Sequence, residues 1–199
     1  MARVLLVSNR LPVTLERGDD GELVARRSSG GLATALSSVH DQGESLWLGW
    51  PGPVEADPGE LERVLAPMRC VPVPLSSHEV TGYYDGFSNG VLWPLCHYLL
   101  DKSNPDSRDA WECYRVVNER FATMVADRYR PGDAVWIHDY QLALVPALVR
   151  RRHPDARIGY FHHVPFPNAD VFRTLPWRRQ ILRGLLGADV VGFHTAGYA

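Results

Sequence analysis

The stretches "AVWIHDY" (Ala134–Tyr140), "RIGYFHH" (Arg157–His163) and "ADVVGFH" (Ala188–His194) decide the fold. Each is a short apolar run that ends in polar residues and reads as a buried strand. Between the first two lies "QLALVPALVRRRH", a helix ended by Pro154. Between the second and third lies "PWRRQILRGLLG", a helix closed by Gly187. Strands alternating with helices across short loops predict an α/β fold with a parallel sheet.

Upstream, the pattern continues. "RVLLVS", "SLWLGW" and "RCVPVPL" read as further strands, with Pro72 and Pro74 placing the last near a sheet edge. "GGLATALSSVH" reads as a helix starting at Gly31, after a polar, glycine-containing loop over Gly18–Ser29. Val117, Phe121, Met124 and Val125 recur at helical spacing and predict an amphipathic helix over Asp109–Arg130. Arg150–Arg152 read as a solvated helix C-terminus favoured by the helix dipole.

At 199 residues the chain is long enough for one full core, and a net charge of −2 lacks the basic excess of a nucleic-acid binder. No stretch is long and apolar enough to span a bilayer or to form a signal-peptide core, so a cytoplasmic protein is expected. Cys70, Cys96 and Cys113 are odd in number and widely spaced, which argues against a zinc knuckle or a disulfide framework. No cofactor is implied, and the oligomeric state is open, a homo-oligomer included. The last strand is followed only by "TAGYA", without a closing helix, which suggests a piece of a longer protein.

Open parallel sheets bind ligands at the carboxyl ends of their strands. Those ends carry Ser8-Asn9-Arg10, His138-Asp139, His162-His163 and His194-Thr195. Together they predict a polar rim on which four histidines, Arg10 and Asp139 converge. Neighbouring His162 and His163 must point to opposite faces of their strand, and no HxH or HExxH spacing occurs, so a metal site is not expected. "SSGG" before a helix is a candidate phosphate cradle: glycine admits close approach, and the helix N-terminus favours anions. A plain glycine turn explains it equally well when taken alone. Asp139 is either a group that binds hydroxyls and serves as a base or a cap of the following helix.

"YYDGFSNGVLWPLCHY" (Tyr83–Tyr98) sets aromatic rings among Gly86, Asn89, Gly90 and Pro94. Tyr83, Phe87, Leu92 and Leu95 are expected in the core. Tyr84 and Trp93 are open between core and sugar contact. Gly86, Asn89 and Gly90 are expected to let the chain bend.

"VSNRLPV", "GGL", "WLGW", "YYDGFSNGVLWPLCHY", "WIHDYQLALVPALVR" and "IGYFHHVPFPNADVFRTLP" follow one another as in trehalose-6-phosphate synthases, which the chain resembles from Arg3 to its last residue. The resemblance implies a retaining hexosyltransferase of the GT-B type, with two Rossmann-like domains, each a parallel sheet with helices on both faces, facing across a cleft. Residues 1–199 would form the N-terminal, acceptor-binding domain, with the donor-binding domain beyond them. The substrates implied are a nucleotide-glucose, usually UDP-glucose, and glucose 6-phosphate. By the same resemblance Arg10 and Tyr84 would hold the acceptor phosphate, Trp93 would wall its sugar and Asp139 would bind its hydroxyls. Gly30 and Gly31 would lie against the donor diphosphate, His163 would face the donor glucose, and Val164 with Trp93 would shape selectivity at the anomeric centre. Trp47 would line the region. Asp139 and His163 are the implied catalytic pair.

Three rivals remain: a related synthase that glucosylates glycerol 3-phosphate or a pseudo-sugar phosphate, a silent domain that senses sugar phosphates, and a metal hydrolase built on the histidines. The base of the donor nucleotide would be read outside this chain.

Overall fold

A computed structural model describes residues 3–104 and 107–198. Ala199, the last residue of the predicted 1–199 domain, lies outside them, as do Met1, Ala2, Pro105 and Asp106. The chain runs β1 (Val4–Arg10), β2 (Val13–Arg17), β3 (Leu23–Arg27), α1 (Gly31–Gln42), β4 (Ser45–Trp50), α2 (Pro58–Leu65), β5 (Cys70–Pro72) and α3 (Ser77–Glu79). A π-helical stretch (Val80–Leu92) follows, then α4 (Trp93–Cys96), α5 (Arg108–Arg128), β6 (Ala134–His138) and α6 (Val145–Arg152). The chain finishes with β7 (Arg157–His162), α7 (Ala169–Phe172), α8 (Arg178–Leu185) and β8 (Val190–Phe193).

Six strands form one sheet in the order β5-β4-β1-β6-β7-β8. Every neighbouring pair is parallel. Counted within this sheet, the order is that of a doubly wound Rossmann fold, which turns back on itself beside its first strand. Here the reversal falls between β1 and β6, so the crevice outside their carboxyl ends is where a ligand should sit.

Alternation along β1 supplies both faces of the sheet. Leu5 and Val7 join the core beneath the π-helical stretch, α5 and α6. Leu6 joins a second core with Trp47, Leu36, Leu61 and Leu65 beneath α1 and α2. Val117, Phe121 and Val125 are fully buried on α5, as their spacing predicts.

Three local expectations are corrected. The segment read as a polar loop, Gly18–Ser29, contains β3, which pairs antiparallel with β2 just before it in a hairpin whose Val13 and Leu23 reach the second core. Each strand ends in two consecutive charged residues, Glu16-Arg17 and Arg26-Arg27, which hides the alternation. Arg150 is only partly exposed: it donates to the carbonyls of Pro154, Ala156 and Gly187 and pairs with Asp189 at 2.7 Å, tying α6 to the start of β8. Asn89 and Gly86 do more than permit bending. The Asn89 amide oxygen accepts from the Tyr140 hydroxyl at 3.0 Å. A Cβ on Gly86 would come within 3.0 Å of the Ala110 methyl, so glycine lets α5 pack close.

Candidate functional site

Both strands at the reversal present polar groups. Near the end of β1 the register against β4 slips between Val7 and Arg10. The Trp47 indole N–H donates to Ser8 Oγ at 2.7 Å, and the Ser8 hydroxyl donates to the Arg10 carbonyl at 2.7 Å. This chain of bonds fixes the backbone from which Arg10 projects. The Arg10 guanidinium lies 4.7 Å from the centre of the Trp50 ring, a cation–π contact. Gly52, at φ 98°, leaves it room: a Cβ there would sit 2.9 Å from Arg10 Nη2. Among the described residues no carboxylate pairs with Arg10, which is exposed.

After β6 the chain turns sharply at Asp139, whose φ of 75° and ψ of 166° fall in a region that only glycine occupies readily. Its Oδ1 accepts from the backbone N–H of Tyr140 at 3.0 Å and of His163 at 3.1 Å. The carboxylate therefore staples the end of β6 to the end of β7. Burial pushes the Asp139 carboxyl up, against the pull of the two amides and of His194.

Arg10, Gly30, Gly31 and Asp139 line one cleft of about 250 Å³, together with Asn9, Trp47, His138 and Gln141. Neither glycine is demanded by the protein itself. Gly30 has φ −64°, open to any residue. A Cβ on Gly31 would meet nothing within 4 Å, and one on Gly30 only Ser28 Oγ at 3.7 Å. The start of α1 has no side-chain cap and no acidic residue in its first turn, so its N–H groups are free for an anion. A larger cavity of about 380 Å³ adjoins the cleft, with Pro12, Ser28, Ala33 and Trp47 common to both. Its Arg27 is already paired with Asp41 at 2.8 Å, whereas the cleft holds the unpaired Arg10.

The histidines divide. His163 Nε2 lies 3.1 Å from His138 Nδ1, and the His163 ring packs edge-on against His194. His162 does not join this rim: it is buried on the other face against Tyr160, Phe166 and Phe193. The rim thus carries three of the four expected rings. Among the described residues no group of three His, Cys, Asp or Glu side chains is placed to hold a metal ion.

His163 and the remaining expected residues stand outside the cleft lining, His163 reaching it through its bond to His138. Tyr84 and Val164 are half-buried against the main core. Trp93 is 38% exposed and stacks on His97 with ring centres 4.1 Å apart. Tyr83, Phe87, Leu92 and Leu95 are buried, as the sequence predicts. The Tyr83 hydroxyl donates to Asn9 Oδ1 at 2.9 Å. With the Asn89–Tyr140 bond it fastens the π-helical stretch to the ends of both β1 and β6. Gln141 is a cleft residue that sequence reasoning missed; its place just past a strand end is the signal that marks it.

A Rossmann-type sheet with a cleft at its reversal is the architecture in which open parallel sheets bind ligands. The chain matches glycosyltransferase family 20 over residues 2–199, and it belongs to that family. It is 44% identical over 200 residues to the alpha,alpha-trehalose-phosphate synthase [UDP-forming] A of Dictyostelium discoideum, covering 99% of this chain and 27% of that protein. It is 47% identical over 195 residues to the trehalose-6-phosphate synthase of Mycolicibacterium smegmatis, covering 98% of this chain and 38% of that protein. Among solved structures it is similar to an alpha,alpha-trehalose-phosphate synthase (UDP-forming) from Burkholderia vietnamiensis, with a TM-score of 0.78, 29% identity and coverage of 99% and 40% of the two chains. It is also similar to the E. coli trehalose-6-phosphate structure bound with UDP-2-fluoro glucose, with a TM-score of 0.79, 30% identity and coverage of 99% and 41%. The chain thus spans less than half the length of each. No described helix is long and apolar enough to cross a membrane.

Proposed function

We propose that the whole protein transfers glucose from UDP-glucose to glucose 6-phosphate with retention at the anomeric carbon, giving trehalose 6-phosphate and UDP. Residues 1–199 would supply the acceptor side of a two-domain, GT-B enzyme working in the cytoplasm, and a second domain would bind the donor nucleotide. One observation carries this reading: the unpaired Arg10 faces the same cleft as the uncapped start of α1 and Asp139, at the reversal of the sheet. Two anion-receptive groups beside a carboxylate suit one phosphate, one diphosphate and the sugar hydroxyls between them.

In the reaction, the bond from the anomeric carbon to the diphosphate breaks and one to the acceptor oxygen forms. The acceptor's proton passes to the departing diphosphate. Arg10 holds the acceptor phosphate, with Tyr84 as a second contact, and Asp139 holds acceptor hydroxyls. Trp93 walls the acceptor sugar once the second domain closes over it, and Val164 limits the room beside the anomeric carbon. Gly30, Gly31 and the N–H groups of α1 stabilise the leaving diphosphate, while His163 faces the donor sugar. The protein's work is positioning and charge stabilisation.

Arg10→Ala is expected to raise the KM for glucose 6-phosphate about 10- to 100-fold with kcat little changed, the loss of one charge-assisted contact. Steady-state kinetics on the whole protein check this. An unchanged KM removes Arg10 from the phosphate site.

A further inference from the structure

His138 stands apart from the other polar groups of the cleft. Its ring is 1% exposed, and its Nε2 has no hydrogen-bond partner. A buried polar atom left unpaired is costly, so such atoms call for an explanation. The same ring lines the cleft that holds Arg10, Gly30, Gly31 and Asp139. Its other nitrogen, Nδ1, is engaged with His163 Nε2 at 3.1 Å.

The shared bond joins the two inner nitrogens, His138 Nδ1 and His163 Nε2, and couples the two outer ones, His138 Nε2 and His163 Nδ1. A neutral imidazole has one N–H and one lone pair. Burial holds both rings neutral, with His138 pushed down to about 3 and His163 to about 4. One of the two inner nitrogens donates and the other accepts. His138 Nε2 and His163 Nδ1 must therefore have opposite characters: when one is a donor, the other is an acceptor. Two other groups of the cleft, Arg10 and the free N–H groups of α1, are donors suited to phosphate oxygens, which only accept.

We infer that His138 contacts the ligand: its Nε2–H donates to a phosphate oxygen of the bound substrate, and the bond from His163 Nε2–H to His138 Nδ1 leaves His163 Nδ1 as an acceptor for a substrate hydroxyl. His138 thus binds at one nitrogen and positions His163 through the other. This inference rests on the reading of the cleft as a phosphate-binding sugar site. It adds a residue that reads the phosphate and sets the hydrogen-bonding role of the ring facing the sugar.

Nitrogen-15 NMR of the imidazoles, with UDP titrated into the whole protein, tests it directly. The expected result is that the Gly30 and Gly31 amides shift, that His138 Nε2 shifts as a protonated nitrogen, and that His163 reports a bare Nδ1. Two variants separate the two roles, because the glutamine amide reaches the place of Nε2 and the asparagine amide that of Nδ1. His138→Asn should weaken UDP binding about tenfold while preserving the His163 tautomer. His138→Gln should bind within about threefold of the unmodified protein but lose the single His163 tautomer. Shifted glycine amides with an unmoved His138 Nε2 would overturn the inference alone. Unmoved glycine amides at millimolar UDP would overturn the reading of the cleft, and the inference with it. The Nε2 shift and the tautomer, both read on the unmodified protein, decide even if a variant fails to fold.

Discussion

Asp139→Ala is expected to lower kcat/KM of the whole protein about 100- to 1,000-fold and to destabilise the fold by about 2–4 kcal/mol. Both effects follow from one carboxylate with two tasks. Its Oδ1 accepts from the N–H groups of Tyr140 and His163, and losing those bonds leaves two amides short of a partner at the strand ends. The cost of keeping a carboxylate half-buried, visible in its raised pKa, offsets part of that loss. Backbone strain supplies a control. At φ 75° and ψ 166° Asp139 occupies a conformation that costs a non-glycine residue about 1–3 kcal/mol. Asp139→Gly removes the same side chain but relieves the strain, so it should be more stable than Asp139→Ala by about that amount while remaining equally inactive. Asp139→Asn keeps an acceptor for the staple and should fold almost as the native chain does, yet still lose about 100-fold in kcat/KM. Denaturant unfolding and kinetics on the three variants separate the tasks. A glycine variant no more stable than the alanine variant would remove the strain, and a fully active asparagine variant would remove the carboxylate's contact with substrate.

Gly184→Ala is expected to lower the melting temperature by about 5–10 °C, although it adds one methyl group. A Cβ at Gly184 would lie 2.8 Å from the Leu144 Cα and closer still to the Ala143 carbonyl, so backbone and not a flexible side chain stands in its way. Overpacking against backbone is relieved only by moving one element off the other. Here α8 would be pushed off the segment between Asp139 and α6. Ala143 and Leu144 are also held from the other side, by the Tyr114 hydroxyl at 3.1 Å and Asn118 Oδ1 at 3.1 Å. Little slack remains, and the push is transmitted towards Asp139. Thermal unfolding followed by circular dichroism measures the loss; a change under 2 °C would show that the α6–α8 contact yields freely.

Elements whose burial is nearly complete were legible in the sequence. β1, β4, β6 and β7 are continuous apolar runs because both faces are covered, and α5 shows its period because one stripe is buried. The hairpin of β2 and β3 was not legible, since its outward positions are Thr14, Glu16, Val24 and Arg26 and only one side packs; the turn around Gly18–Gly21 was its available signal. The π-helical stretch defeats a search for helical periodicity, and its Gly82 and Gly86 serve contact with α5, which no local pattern reveals. At the site, Arg10 and Asp139 followed from strand ends and Gly30–Gly31 from a glycine pair before a helix. Tyr84, Trp93 and Val164 came from the family resemblance, and the cleft lining contains none of them. His138 sits at an expected strand end, but its orphaned nitrogen and its bond to His163 depend on β6 and β7 being neighbours. That is a property of the sheet order, not of any one segment.

Mixing the whole protein with UDP-glucose and glucose 6-phosphate, and identifying the product by proton NMR, tests the proposed function most directly. The predicted result is trehalose 6-phosphate with both anomeric centres α, formed with one UDP per molecule and suppressed by Asp139→Asn. Release of free glucose without transfer, or transfer to glycerol 3-phosphate in preference to glucose 6-phosphate, would contradict it.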